Sequence, residues 1–184
     1  AGDAPPVGAR PGGWNSWYAH FPDIDEELIR EAARLTASRL TWGEPRELVV
    51  DDGWERSWGD WQPNARFPSG MPALAAAIAA HGLRPGLWLA PLLVEDQAPL
   101  AAAQPGWFVR DAAGAPLAYA PPLTGERYLV LDVTHPEVAA HLREVLARVV
   151  GWGFTSLKLD FLFVGAWEGV RQRPCTGSEA YAEA

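Results

Sequence analysis

One cysteine, Cys175, among 184 residues rules out an internal disulfide and any cage of cysteine ligands around a metal. Long hydrophobic runs are missing too. The longest purely apolar stretch, Ala73 to Ala80, falls far short of the roughly 20 residues that a membrane-spanning helix needs. Positive charge is scarce: 15 Lys and Arg face 23 Asp and Glu, for a formal net charge of -8 and a pI near 4.9. Such a surface repels phosphate, so neither nucleic acid nor anionic membrane is an expected partner. No Gly-rich phosphate loop or dinucleotide fingerprint occurs. The four histidines, His20, His81, His135 and His141, stand at no ligand spacing, and no convincing ligand set forms around the acids. Neither a metal nor another cofactor is expected. No leader is visible at a start that lacks Met, so the compartment stays open, with the cytoplasm favoured.

What is present is enough for one sizeable core. Hydrophobic residues make up 48% of the chain, and a domain near this size buries roughly 70% of its unfolded surface. Ten Trp are spread along the whole chain. The opening, residues 1–12, is rich in Pro and Gly without periodicity and reads as a linker or domain junction. Trp14 to Tyr18 is a short aromatic segment with strand character. Asp23 and Glu26 form a cap-like pair ahead of a helix whose Leu28, Ile29, Ala32 and Leu35 recur at helical spacing and which stops near Leu40. Leu48-Val49-Val50 is a fully apolar strand of the kind that parallel sheets bury on both faces. Pro72 and Gly82 bracket an Ala-rich helix, and a third strand covers Gly86 to Pro91.

From Leu92 to Gly125 the chain reads as irregular, with an extended piece at Tyr128 to Leu131. Thr134 and Glu137 are spaced as a capping box, opening a helix that runs to Gly151 or Gly153. Ser156 to Phe161 is a fourth strand, and Thr176 to Ala184 begins another helix. Strands alternating with helices imply right-handed crossovers and an α/β fold on a parallel sheet.

Function in such folds gathers at the carboxyl ends of the strands, where Asp51, Asp52, Trp54, Trp88, Lys158 and Asp160 fall. A single Asp there is more often a helix cap or a surface acid. Charged or aromatic residues at three of four strand ends point instead to a site. Lys158 and Asp160, two apart on a strand, share a face, and an ammonium beside a carboxylate keeps it ionised. An ionised carboxylate in a pocket is a nucleophile for an electrophilic carbon, though the same pair also serves as a structural salt bridge. Asp51 and Asp52 are adjacent, so both enter one site only if the chain turns, which Gly53 permits. Two acceptors of that kind suit a polyhydroxylated ligand such as a sugar. Glu55 and Asp60 read as solvated loop charges, and Asp132 as a residue that orders the loop before the helix.

These residues carry a resemblance. Gly13-Trp14-Asn15-Ser16-Trp17, Asp51-Asp52-Gly53-Trp54, Phe67-Pro68-Ser69-Gly70-Met71, Gly86 to Pro91, Leu131 to Pro136 and Lys158-Leu159-Asp160 follow one another as in the α-galactosidases, or melibiases, of glycoside hydrolase families 36 and 27. Family 36 is the closer, because family 27 typically has Cys where Gly53 stands. The resemblance implies a (β/α)8 barrel and a retaining mechanism on terminal α-galactosides. It implies Asp160 as nucleophile and Lys158 as its partner and a ligand of ring hydroxyls. Asp51 and Asp52 would accept the galactose 4- and 6-hydroxyls. Trp54 and Trp88 would wall the subsite, with Trp17 as a further contact. Arg127 stands one residue out of register with the family's sugar-binding Arg and is carried over on that footing. Leu159 and Phe161-Leu162-Phe163 depart from the family, which often has Trp between the Lys and the Asp and a polar residue soon after.

A complete barrel of this kind needs about 250 residues, so residues 13–184 correspond to its first four βα units. The second carboxyl group of a retaining glycosidase would come from a later strand, leaving this segment with the nucleophile half of the site and little turnover alone. Open sheet edges then invite self-association or pairing with a C-terminal half of the barrel. Two other readings stay open: a non-catalytic carbohydrate-binding fragment, and an α-galactosyl transferase of the raffinose-synthase type.

Overall fold

The computed structural model describes residues 12–41, 46–121 and 125–182. The linker expected over residues 1–12 lies outside these except for Gly12, which opens the first strand. The elements run in the order β1 (Gly12–Asn15), α1 (Trp17–His20), α2 (Glu26–Arg39), β2 (Arg46–Val50), α3 (Met71–Ala80), β3 (Arg84–Leu89), β4 (Leu93–Glu95), α4 (Pro99–Ala103), β5 (Ala118–Tyr119), β6 (Tyr128–Val130), α5 (Pro136–Gly151) and β7 (Ser156–Leu159). A 3-10 turn over Leu162–Ala166 and α6 (Gly177–Ala182) follow. Contacts divide the chain into two compact units. One takes the chain up to Trp54 with Pro63–Trp88 and Val149–Lys158; the other takes Glu55–Gln62, Leu89–Arg148 and the chain from Leu159 on.

The first unit is built on a sheet ordered β1-β2-β3-β7, with β1–β2 and β2–β3 parallel. Alternation along β2 separates the faces. Leu48 and Val50 are fully buried, whereas Glu47 and Val49 on the other face are partly open. Helix α2 presents buried Ile29 and Ala33, and α3 presents Met71, Leu74, Ala75 and Ile78, so the helices cover apolar surface as 3.6-residue periodicity requires. Asp25, not Asp23, caps α2: its side chain accepts from the Leu28 amide at 2.8 Å. Trp14–Tyr18 is not one strand. The chain leaves β1 after Asn15, whose Oδ1 accepts from the Trp17 amide at 2.8 Å and turns Trp17 and Tyr18 into a helical turn.

The second unit contains an antiparallel sheet ordered β4-β6-β5, so the stretch expected to be irregular holds strands and a short helix. These elements are two to five residues long, too short for periodicity to show. Val94, Ala98, Trp107, Phe108, Leu131 and Val138 pack as their core. The spacing of Thr134 and Glu137 does not produce a capping box. The Thr134 amide and hydroxyl both donate to Asp132 Oδ1, at 3.0 and 2.7 Å, and Glu137 Oε2 accepts instead from Trp107 Nε1 at 3.1 Å. Asp132 therefore orders its loop, and its other oxygen takes the Gln172 amide at 2.6 Å. Glu55, read as solvated, is buried at 8% exposure. No described helix is long and apolar enough to cross a membrane.

Candidate active site

The first unit gathers its polar groups where β2 ends. Asp51 follows Val50 directly and is 1% exposed. Its amide donates to Ser16 Oγ at 2.9 Å, which fixes the backbone just past β1 against that past β2. Its Oδ2 accepts from Asn15 Nδ2 at 2.6 Å and from Lys158 Nζ at 2.8 Å, while Oδ1 accepts the Asp52 amide at 3.0 Å. A carboxylate offers about four acceptor positions, so three named donors leave Asp51 room for roughly one more. The charge is stabilised where it stands: burying a carboxylate without a cation and donors would cost several kcal/mol or force its protonation.

The turn beyond the acids is held equally firmly. Gly53 adopts φ 110°, a region closed to side chains, and a Cβ there would lie 2.4 Å from the Pro22 carbonyl oxygen. The Gly53 carbonyl accepts from Asn64 Nδ2 and Arg66 Nη2, both at 2.8 Å. Asp52, half-buried, sits between this clamp and Asp51.

Lys158 arrives from β7. Gly13 and Asn15, Glu47 and Val49, Ser156 and Lys158 are pairs at alternate positions of their strands, and together they line a hollow of about 340 Å³. Glu47 ties its floor, with Oε2 accepting from Arg84 Nη2 at 2.8 Å and from Ser156 Oγ at 3.0 Å. The ammonium crosses this face to reach Asp51, past intervening β3.

The tryptophans differ. Trp54 is fully buried, its Nε1 donating to the Trp88 carbonyl at 3.0 Å and its ring meeting Trp152 edge-on at 6.0 Å. Trp88 is 2% exposed. Burial of both rings supports packing beneath the acids. Trp17 is partly open and meets Phe21 edge-on at 5.4 Å.

Asp160 belongs to the second unit and stands one residue past the end of β7, so the shared-face argument from strand alternation stops at Leu159. Its amide donates to the Leu89 carbonyl at 2.8 Å and its Oδ1 accepts from the Phe161 amide at 2.8 Å. Phe161 takes a left-handed conformation, φ 53° and ψ 25°, which costs a non-glycine residue roughly 1 kcal/mol and turns the chain immediately after the acid. Arg127 is in the same unit, exposed, with Nη1 3.7 Å from Asp96 Oδ2 and Nη2 donating to the Pro116 carbonyl at 3.3 Å.

Asn15 and Ser16 have no evident role in the sequence alone, although both lie inside the aromatic motif at β1. The available signal was two polar residues closing a strand beside the paired acids. Among the described residues no group of three or more His, Cys, Asp or Glu is placed to hold a metal ion.

Residues 8–161 match the melibiase family. The chain is 35% identical over 145 residues to an α-galactosidase of Geobacillus stearothermophilus, covering 74% of this chain and 18% of that protein. It is 28% identical over 158 residues to an A-type blood α-D-galactosamine galactosaminidase of Flavonifractor plautii, covering 82% and 14%. Among solved structures, the α-galactosidase of Thermus thermophilus in complex with p-nitrophenyl α-D-galactopyranoside superposes with a TM-score of 0.85 at 36% identity, covering 96% of this chain and 35% of that one. The crystal structure of the Geobacillus enzyme, of glycoside hydrolase family 36, superposes with a TM-score of 0.69 at 30% identity, covering 83% and 21%. The chain thus spans between about a seventh and about a third of these relatives. The parallel sheet with its helices is the opening part of their TIM barrel, and the chain belongs to the melibiase family.

Proposed function

We propose that this chain provides the galactose-recognising and nucleophilic part of a retaining α-galactosidase acting on terminal α-D-galactosides. The observation that carries the reading is the Asp51 carboxylate, buried, ionically paired with Lys158 at 2.8 Å and holding capacity for about one further donor beside half-buried Asp52. Acceptor-only groups fixed in this way distinguish sugars by their hydroxyls, because a hydroxyl of the wrong configuration leaves them desolvated and unmatched. Relatives complexed with p-nitrophenyl α-D-galactopyranoside and stachyose supply the galactoside.

In this reading a carboxylate oxygen of Asp160 attacks the anomeric carbon, the bond from that carbon to the leaving oxygen breaks, and the leaving oxygen takes a proton from an acid. Water then attacks the glycosyl ester, a base removes its proton, and galactose departs with the Asp160 carboxylate restored. No acid/base is assigned within this chain, since Asp51 and Asp52 are used by substrate hydroxyls. The turn at Phe161 and the hydrogen bond from its amide to Asp160 Oδ1 support a carboxylate held in one orientation.

Calorimetric titration with methyl α-D-galactoside and methyl α-D-glucoside, which differ only at the 4-hydroxyl, tests recognition. The reading expects the galactoside to bind at least about tenfold tighter and Asp52→Asn to erase that ratio, the scale of one charge-assisted hydrogen bond. Equal affinities in the wild type would refute it.

A further inference from the structure

Phe67-Pro68-Ser69-Gly70-Met71 has no task in the chemistry above, yet the residues just ahead of it brace the paired acids. Arg66 is the centre of that brace. Its Nη2 donates to two backbone carbonyls, that of Gly53 at 2.8 Å and that of Pro22 at 2.9 Å. Gly53 belongs to the turn after β2, and Pro22 to the loop between α1 and α2. These segments approach so closely that a Cβ on Gly53 would lie 2.4 Å from the Pro22 oxygen. Two carbonyl dipoles therefore face one small space, and the guanidinium supplies the positive charge that both point at. Arg66 is itself held. Its amide donates to Asn64 Oδ1 at 2.9 Å, and its carbonyl accepts from the Glu26 amide at 3.1 Å, where α2 begins. Asn64 Nδ2 is the second donor to the Gly53 carbonyl, at 2.8 Å, and the Asn64 amide donates to the Trp54 carbonyl at 2.9 Å. The Ser69 amide closes the brace on Glu26 Oε2 at 2.9 Å.

The loop that Arg66 grips is strained. Phe21, directly before Pro22, has φ 51° and ψ -141°. A positive φ is unfavourable for a ring-bearing residue, and the place before a proline narrows its choices further. Such a backbone persists only where its surroundings over-determine it, and Arg66 holds the carbonyl of the next residue. On the other side of the brace Asp52 is pinned before and after. Its amide donates to Asp51 Oδ1 at 3.0 Å, and the Gly53 carbonyl beyond it takes both donors. With both flanking peptides fixed, the carboxylate is carried on a backbone that cannot re-aim it. We propose that Arg66 is a positioning residue for sugar recognition, fixing the place of the Asp52 carboxylate through the Gly53 carbonyl. The proposal rests on the reading of Asp52 as an acceptor of a galactose hydroxyl. Arg66 touches no sugar in it. An acceptor displaced by a fraction of an ångström keeps its charge but loses the aligned hydrogen bond that separates two epimers. The Arg66 side chain is 41% exposed, so its removal opens no cavity in the core.

Calorimetric titration with methyl α-D-galactoside and methyl α-D-glucoside reads positioning as a ratio of affinities, which a loss of folded protein alone does not change. Wild type should favour the galactoside by at least about tenfold. Arg66→Met, which keeps an unbranched stem but donates nothing, should bring the ratio below about threefold. Arg66→Lys has a compact charge in place of the planar fork and should fall between the two. Adding Arg66→Met to Asp52→Asn should change galactoside affinity by no more than about twofold, because Arg66 acts through Asp52. Ile29→Val, a buried change in α2, should lower the urea midpoint and leave the ratio at its wild-type value. Circular dichroism verifies each fold. A wild-type ratio in folded Arg66→Met, or in Arg66→Lys if the first variant does not fold, would overturn the positioning role and leave the galactoside reading standing. Full additivity with Asp52→Asn would overturn it as well, since Arg66 would then act elsewhere. So would an Ile29→Val that lowers the ratio as far as Arg66→Met does. Equal affinities in the wild type would overturn both the positioning role and the galactoside reading.

Discussion

Lys158 Nζ lies 2.8 Å from Asp51 Oδ2, although β7 and β2 are separated in the sheet by β3. One cation on β7 thereby holds, from two strands away, an almost wholly buried carboxylate at the end of β2. Removing only the cation leaves that carboxylate in place with less compensation. Lys158→Met should destabilise the protein by about 2–3 kcal/mol, below the full cost of breaking a buried pair because Lys158 is partly exposed. Asp51→Asn/Lys158→Met should recover part of the loss. Urea midpoints give the comparison, and a double variant no better than Lys158→Met would show that the pair carries no coupling.

Asp51 and Asp52 should separate in their effects. Asp51 already holds Asn15, Lys158 and the Asp52 amide, so Asp51→Asn should cost stability as well as affinity. Half-buried Asp52 should lose galactoside affinity on replacement by Asn with a smaller stability loss than Asp51→Asn, because less of its carboxylate is buried. Parallel thermal melts and titrations distinguish the two, and equal stability losses would count against the division.

Gly53→Ala should be among the most damaging single methyl additions. The φ of 110° and the approach of 2.4 Å to the Pro22 carbonyl leave a Cβ no place without backbone movement. A loss of at least about 2 kcal/mol is expected by denaturant unfolding, with galactoside affinity falling because the acids precede the moved turn. Unchanged stability would contradict the described turn.

His141 gives a pH dependence of defined sign. Burial holds its pKa below the ordinary 6.5, with Arg148 adding to the effect and Glu144 and the Gly59 backbone opposing it. The folded state therefore binds the proton less readily than the unfolded one. Its stabilising contribution is complete above about pH 6.5 and is lost as pH falls through the folded value. Urea midpoints measured from pH 7.5 to 5 should decline, and His141→Gln should flatten that decline. A wild-type profile that rises towards pH 5 would reverse the sign and refute the assignment.

The sequence made the parallel sheet legible because its strands are bounded by Gly and Pro and alternate with helices of clear period. Leu48-Val49-Val50 and the helix from Met71 are the plain cases. The antiparallel sheet of the second unit was not legible, because β5 has two residues and acquires strand character only from its pairing with β6. The same limit applies at the site. Adjacent Asp51 and Asp52 and the Lys158-x-Asp160 spacing were visible as chemistry. That Lys158 pairs with Asp51, and that Asn15 and Ser16 hold the same acid, depends on strand order and tertiary register.

Whether Asp160 is the nucleophile is decided by trapping the glycosyl ester. An activated 2-fluoro α-galactosyl reagent has a leaving group that needs no protonation, so labelling does not depend on an acid/base. After exposure and proteolysis, mass spectrometry should find one fluorogalactosyl ester on the peptide containing Asp160, absent from Asp160→Asn. A label on Asp51 or Asp52, or no label on a protein that binds methyl α-D-galactoside, would contradict the account.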